Sequence, residues 1–237
     1  MRGRRITSLD ASDRPQHLRS SFSFELEQLK LQIEVMGLRV DEALQRSREV
    51  LLTGDVSLAE AVVAGDDEVD DMLVSLSERC YDLLVRQAPV ASDLRLVVSV
   101  LRILSDLERV GDLCLRIVKL APEQPLIASE EGTFEILRRM SEEASALFRA
   151  AIRAWSTQDV SIAKSLEERD DAMDKHYALL TERVMRLDGP DAVPIAVQTI
   201  SAGRALERIA DHSVMIGERL RYMITGRIEP LSKEVGP

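Results

Sequence analysis

The chain has 237 residues and a formal net charge of −10 at pH 7, with 45% hydrophobic and 30% charged residues. Eight aromatic residues are too few for an all-β sandwich or barrel, and eleven glycines and eight prolines are few for a fold of many tight turns. The acidic balance excludes a general nucleic-acid binder, which needs lysine and arginine against phosphates.

In chain order, the start (Met1 to Pro15) carries Arg2, Arg4, Arg5 and Arg14 but no apolar stretch, so it reads as a disordered leader over 1–19 and not as a signal peptide. Six long segments then show helical periodicity. The first covers about Ser20 to Thr53 and stops at Gly54, with Asp55 or Ser57 to cap the second, which runs to about Gln87 before Pro89. The third starts near Ser92, with Ser92 or Asp93 capping, and ends before Pro122 and Pro125. Residues 121–129 read as a loop whose Ser129 caps the fourth helix, which passes Trp155. Asp159 caps the fifth, which ends at Asp188-Gly189-Pro190. The sixth starts near Asp191, tolerates Pro194 in its first turn and finishes at Gly226, leaving 227–237 as a tail. Helices near 30 residues long need side-by-side packing. The most apolar stretch, Leu94–Leu104, is broken by Arg95 and Arg102, so no segment reads as a membrane span. The cytoplasm is the expected location, with Cys80 and Cys114 as buried, reduced thiols.

The chain also repeats itself. DDEVDDML at Asp66–Leu73 matches DDAMDKHY at Asp170–Tyr177, 104 positions on, and LERVGD at Leu107–Asp112 matches LERIAD at Leu206–Asp211, 99 positions on. The difference of five fits an insertion or deletion in the loop between the second and third helices of each unit. The expected architecture is all-α: two tandem homologous three-helix units, 20–121 and 129–226.

Each unit holds two carboxylate pairs at i, i+4: Asp66/Asp70 and Glu108/Asp112, then Asp170/Asp174 and Glu207/Asp211. That spacing puts like charges on one helix face, where they repel. Each pair interrupts an apolar stripe, for example Leu101, Leu104, Glu108, Asp112 and Leu115. Carboxylates drawn out of water need a cation, an arginine or a proton. Oxygen-only donors suit Mg²⁺, Mn²⁺, Ca²⁺ or ferric iron, with zinc less favoured. Structural ion pairs with Arg102, Arg109, Arg204 and Arg208 are the competing reading. His212, directly after Asp211, is either a donor supporting that pair or an ordinary helix histidine. His176 reads as incidental. With no phosphate-cradling glycine loop, nucleophile constellation or Glu-x-x-His pair, the chain is expected not to be an enzyme. A carboxylate-bridged metalloenzyme, a phosphatase or an oxidase, is the minor alternative.

The segments FELEQLKLQIEVMGLRVDEAL, DDEVDD, ERCYDLLVRQAPVASDLRLV, SDLERVGD, ERDDAMD, ALERIADHS and YMITG resemble the PhoU family over about Phe22 to Gly226. The resemblance implies spectrin-like three-helix bundles and a negative regulator of phosphate uptake and phosphate-starvation signalling. It implies as partners the ATPase subunit of the phosphate ABC transporter and a phosphate-sensing histidine kinase, with a homodimer expected, no nucleic acid, and membrane association only through partners. Its acidic motif, which falls on Asp66/Asp70, Glu108/Asp112, Asp170/Asp174 and Glu207/Asp211, holds metal clusters in some members and none in others. Iron, manganese, magnesium and zinc are the candidate ions. The family has His and Ala after the second acid, and Asn three positions after that His. Here the second unit keeps His212 and Ser213 but has Met215, and the first has Leu113, Cys114 and Arg116, which weakens the first cluster.

Overall fold

The computed structural model describes residues 13–227. Helix α1 covers Asp13–Thr53, α2 Val56–Gln87, α3 Ala91–Val118, α4 Gln124–Ala128, α5 Glu131–Thr157, α6 Val160–Val184 and α7 Ala192–Thr225, with one 3-10 turn at Ala121–Glu123 before α4. Six of these are the long helices expected. The first begins seven residues earlier than the sequence pattern suggests, and the rest of the leader, 1–12, lies outside the described residues.

Equivalent turns open α2 and α6. Gly54 (φ 74°) and Gln158 (φ 52°) take the left-handed conformation that ends the preceding helix. The next residue then caps the new one: Asp55 accepts from the Ser57 and Leu58 amides, Asp159 from those of Ser161 and Ile162. Two other expected caps are corrected. Val90 and Glu130 occupy the cap positions of α3 and α5 without side-chain bonds. Ser92 and Asp93 lie inside the first turn of α3, and the Ser129 hydroxyl turns back to donate to the Leu126 carbonyl at 2.7 Å. The segment read as a loop is helical because Pro122 and Pro125 stand in first turns, where proline's fixed φ starts a helix and its missing N–H costs nothing. It is fastened to the end of α1 by Gln124, whose amide donates to the Leu52 carbonyl at 2.9 Å, and its Ile127 is buried.

The first unit is α1–α2–α3 and the second α5–α6–α7. They join along two seams, α1 against α5 and α3 against α7, while α2 and α6 flank their own units. Both seams run antiparallel. On one, Trp155 Nε1 donates to the Lys30 carbonyl (3.1 Å), Arg149 pairs with Asp41 (3.1 Å) and Arg48 with Glu142 (3.3 Å). On the other, Arg95 Nε donates to the Met223 carbonyl (3.3 Å) and Ser99 to the Arg219 carbonyl (3.2 Å). Equivalent helices meeting in opposite directions place an approximate twofold axis between the units. One apolar core runs through both, from Leu29, Ile33 and Met36 to Leu206, Ile209 and Leu220. Close packing of α6 on α7 is set at Gly217, where a Cβ would stand 2.7 Å from Leu166 Cδ1 and 3.3 Å from the Ala163 carbonyl oxygen.

Candidate functional site

Each unit carries two of the carboxylate pairs, four carboxylates brought together by the contact of its second and third helices. In the first unit α2 supplies Asp66 and Asp70, and α3 supplies Glu108 and Asp112. The Asp66 carboxylate lies over Gly111, where a Cβ would be 3.6 Å from Asp66 Oδ1, so the small residue makes room for it. Burial first, then the charges of Asp70 and Asp112, raise the Asp66 pKa. Burial and Asp112 raise that of Glu108, against the pull of Arg109. Arg109 reaches Asp112 at 3.2 Å and Glu108 at 3.7 Å. Asp70 and Asp112 are exposed, so this group is a half-solvated rim.

The second unit is drier. Glu207 is 7% exposed. Burial, then Asp211, Asp174 and Asp171, push Asp170 up to about 7. Burial and Asp211 push Glu207 up to about 7 although Arg204 pairs with it at 2.6 Å. Asp211 is raised as well, chiefly by burial. Asp170 Oδ1 and Glu207 Oε2 are buried without a hydrogen-bond partner. An unpartnered buried carboxylate oxygen is costly unless a proton or a cation offsets that cost.

The arginine reading holds in part. Arg109 pairs with both α3 acids and Arg204 with Glu207 alone; among the described residues Arg102 and Arg208 form no ion pair with any of the acids, and Asp66, Asp70, Asp170, Asp174 and Asp211 have no ion pair. Among the described residues no three His, Cys, Asp or Glu side chains converge closely enough, as they stand, to hold a metal ion. The second unit nevertheless fits one chemically: its donors are all oxygen, two are orphaned, and two carboxyls titrate near neutrality. The rim of the first unit lacks such orphaned oxygens, and Arg109 pairs with two of its four carboxylates.

Sequence reasoning missed one polar contact. His212 Nδ1 lies 3.1 Å from Asp106 Oδ1 across the α3–α7 seam, both nearly buried, with Arg219 Nε 4.0 Å from the other oxygen. His212 therefore faces the other unit's Asp106. By the 99-residue offset the equivalents of Asp106 and His212 are Ala205 and Leu113, both buried, so the link occurs on one side of the twofold only. The signal was available: Asp106 shares the core-facing stripe of Ser99, Ile103 and Val110. His176, read as incidental, keeps a buried Nδ1 without a partner. Cys80 and Cys114 are free and buried, their thiols pushed up to about 12 by burial.

The family model for the PhoU domain matches the chain twice, over residues 33–121 and 137–220, once per unit. The chain belongs to the PhoU family. A "Phosphate-specific transport system accessory protein PhoU homolog" of Pseudomonas putida is 28% identical over 212 residues, 89% of this chain and 83% of that protein. "Homolog 1" of the same description from Mycobacterium tuberculosis H37Rv is 32% identical over 194 residues, 81% of this chain and 87% of that protein. The crystal structure of PhoU from Pseudomonas aeruginosa superposes with a TM-score of 0.80 at 29% identity, covering 87% of this chain and all of that one. PhoU proteins are accessory proteins and not enzymes, and the same holds for this member. No helix among its described residues is long and apolar enough to cross a membrane.

Proposed function

We propose that this PhoU protein is a cytoplasmic accessory protein of phosphate-specific transport that restrains phosphate uptake and phosphate-starvation signalling. It does so by contacts with the transporter's ATPase subunit and with a phosphate-sensing histidine kinase, and it acts as a homodimer. The observation that carries this reading is the double family match, one per unit, together with relatives named for the phosphate transport system.

Within that role the second unit is the regulatory element. Asp170, Asp174, Glu207 and Asp211 would hold a hard divalent or ferric ion, which supplies the positive charge that buried carboxylates otherwise take from protons. Asp170 and Glu207 give up their protons to become ligands, so affinity falls as pH drops below about 7. Asp170 and Asp174 on α6 approach Glu207 and Asp211 on α7, tightening one edge of the unit and reshaping its surface. The orphaned Asp170 Oδ1 and Glu207 Oε2 support this assignment. A second reading, an adaptor that works without metal, is favoured by the ion pairs of Arg109 and Arg204 and by the absence of a converged donor triad among the described residues.

The partner reading is tested by co-purification of the tagged ATPase subunit with the untagged chain. Retention above a tag-only control is expected, and equal recovery contradicts it. Elemental analysis separates the two readings of the site. Iron or manganese in the wild type that is lost in Asp170→Asn/Glu207→Gln supports ligation, whereas metal-free wild type purified without chelator supports the adaptor.

A further inference from the structure

Helix α1 has one face that none of the described residues covers. Phe24 (64% exposed), Leu31 (48%), Val35 (39%) and Leu38 (64%) lie along it, while Leu26, Leu29, Ile33, Met36 and Val40 fill the core on the opposite side. The exposed residues keep a seven-residue period: Phe24, Leu31 and Leu38 fall at d of a heptad, Val35 at a, with Gln28 at the preceding a and Glu42 closing the stripe. The stripe is about 21 Å long, at 1.5 Å per residue. An a/d seam is the face a helix presents to another helix, and Leu at d with a β-branched residue at a favours a two-stranded pairing. Neither α2 nor α5 covers it. α2 lies on the side marked by Arg39, which pairs with Glu68, and α5 on the side of Asp41 and Arg48.

We infer that this stripe is the interface with a second copy of the chain, formed by parallel, in-register pairing of the two α1 helices. The inference rests on the homodimer reading above and names its surface. In that register each apolar residue meets its own copy, the isologous arrangement of a twofold dimer. The flanks are complementary in charge: Glu34, at g, faces Arg39, at e, of the copy, and the symmetry repeats the pair. Among the described residues Glu34 has no ion pair within its own chain, and Arg39 makes only loose ones, 3.7 Å to Glu42 and 3.6 Å to Glu68. A seam of four apolar residues per chain is small among specific interfaces, so the dimer is concentration-dependent.

Sedimentation velocity of the full chain at rising concentration tests this, beside Leu31→Glu/Leu38→Glu. Both substituted residues are exposed, so helicity by circular dichroism stays unchanged. The wild type is expected to dimerise and the variant to dissociate at least about tenfold more readily, since two buried charges cost well over 1.4 kcal/mol. In a separate sample, Leu31→Cys is expected to form a disulfide-linked dimer on oxidation, because Cys80 and Cys114 are buried and give no background. A wild type that stays monomeric throughout overturns the homodimer reading and the interface with it, and leaves the stripe to a helix of another protein. A dimer indifferent to the glutamates, or a Leu31→Cys protein that does not cross-link, overturns the interface alone.

Discussion

Asp170 and Glu207 are the residues whose chemistry departs furthest from that of surface carboxylates. Each is held up to about 7, first by burial and then by Asp211. In the unfolded chain both ionise near pH 4, so between about pH 4 and pH 7 the folded state binds more protons than the unfolded state. Stability without metal therefore falls as pH rises through that window and levels above it. Thermal melts in chelator from pH 5 to pH 8 are expected to show this decline, and Asp170→Asn/Glu207→Gln to flatten it. A parallel slope in the variant would place the titration elsewhere. At the seam, Asp106→Ala leaves His212 without its partner in a nearly buried setting, and is expected to cost about 1–3 kcal/mol in denaturant unfolding. Loss below about 0.5 kcal/mol would make the contact incidental.

At the scale of elements, the paired turns before α2 and α6 carry the same geometry with different residues. Gly54→Ala puts a Cβ at positive φ and 3.2 Å from Gln124, and is expected to cost about 1 kcal/mol or more. Gln158→Gly relieves the equivalent position and is expected to gain up to about 1 kcal/mol. Opposite signs in the two melts would be the mark of the duplication. The same elements show what was legible. Asp55 and Asp159 announced their helices because a capping carboxylate must sit next to the residue that ends the preceding helix, a local rule. Ser92, Asp93 and Ser129 obeyed the same composition rule but lie in turns shaped by Pro89, Ala88 and Ala91 or by α4, so tertiary geometry set the cap. The i, i+4 acids were visible as a face, and the duplication showed that they matter in fours. What spacing could not give was the difference between the two groups: a half-exposed rim with Arg109 in one, a more buried set with orphaned oxygens in the other. That depends on how closely α6 lies on α7, which Gly217 permits. His212 pointed along the chain to Asp211, but its partner came from 106 residues away.

For the whole molecule, the repeat in sequence becomes a twofold in space, and neither unit closes its core alone. α1 and α3 bury their remaining apolar faces on α5 and α7, and the core is continuous across the two seams. Residues 129–226 expressed by themselves are therefore expected to expose the α5 and α7 faces and to aggregate or remain molten, read by dye binding and by loss of a cooperative melt. Cooperative folding of that fragment as a monomer would contradict a shared core. A protein built this way has long, rigid helices, two acidic edges of unequal dryness and an uncovered α1 stripe, features suited to holding partners and not to turnover.

The most direct test of the regulatory account is a phosphate-starvation reporter in the source organism grown in ample phosphate, with the gene deleted. The account predicts that the reporter switches on in the deletion strain and is silenced again by the wild-type chain supplied in trans. Reporter output that stays off without the gene would contradict it.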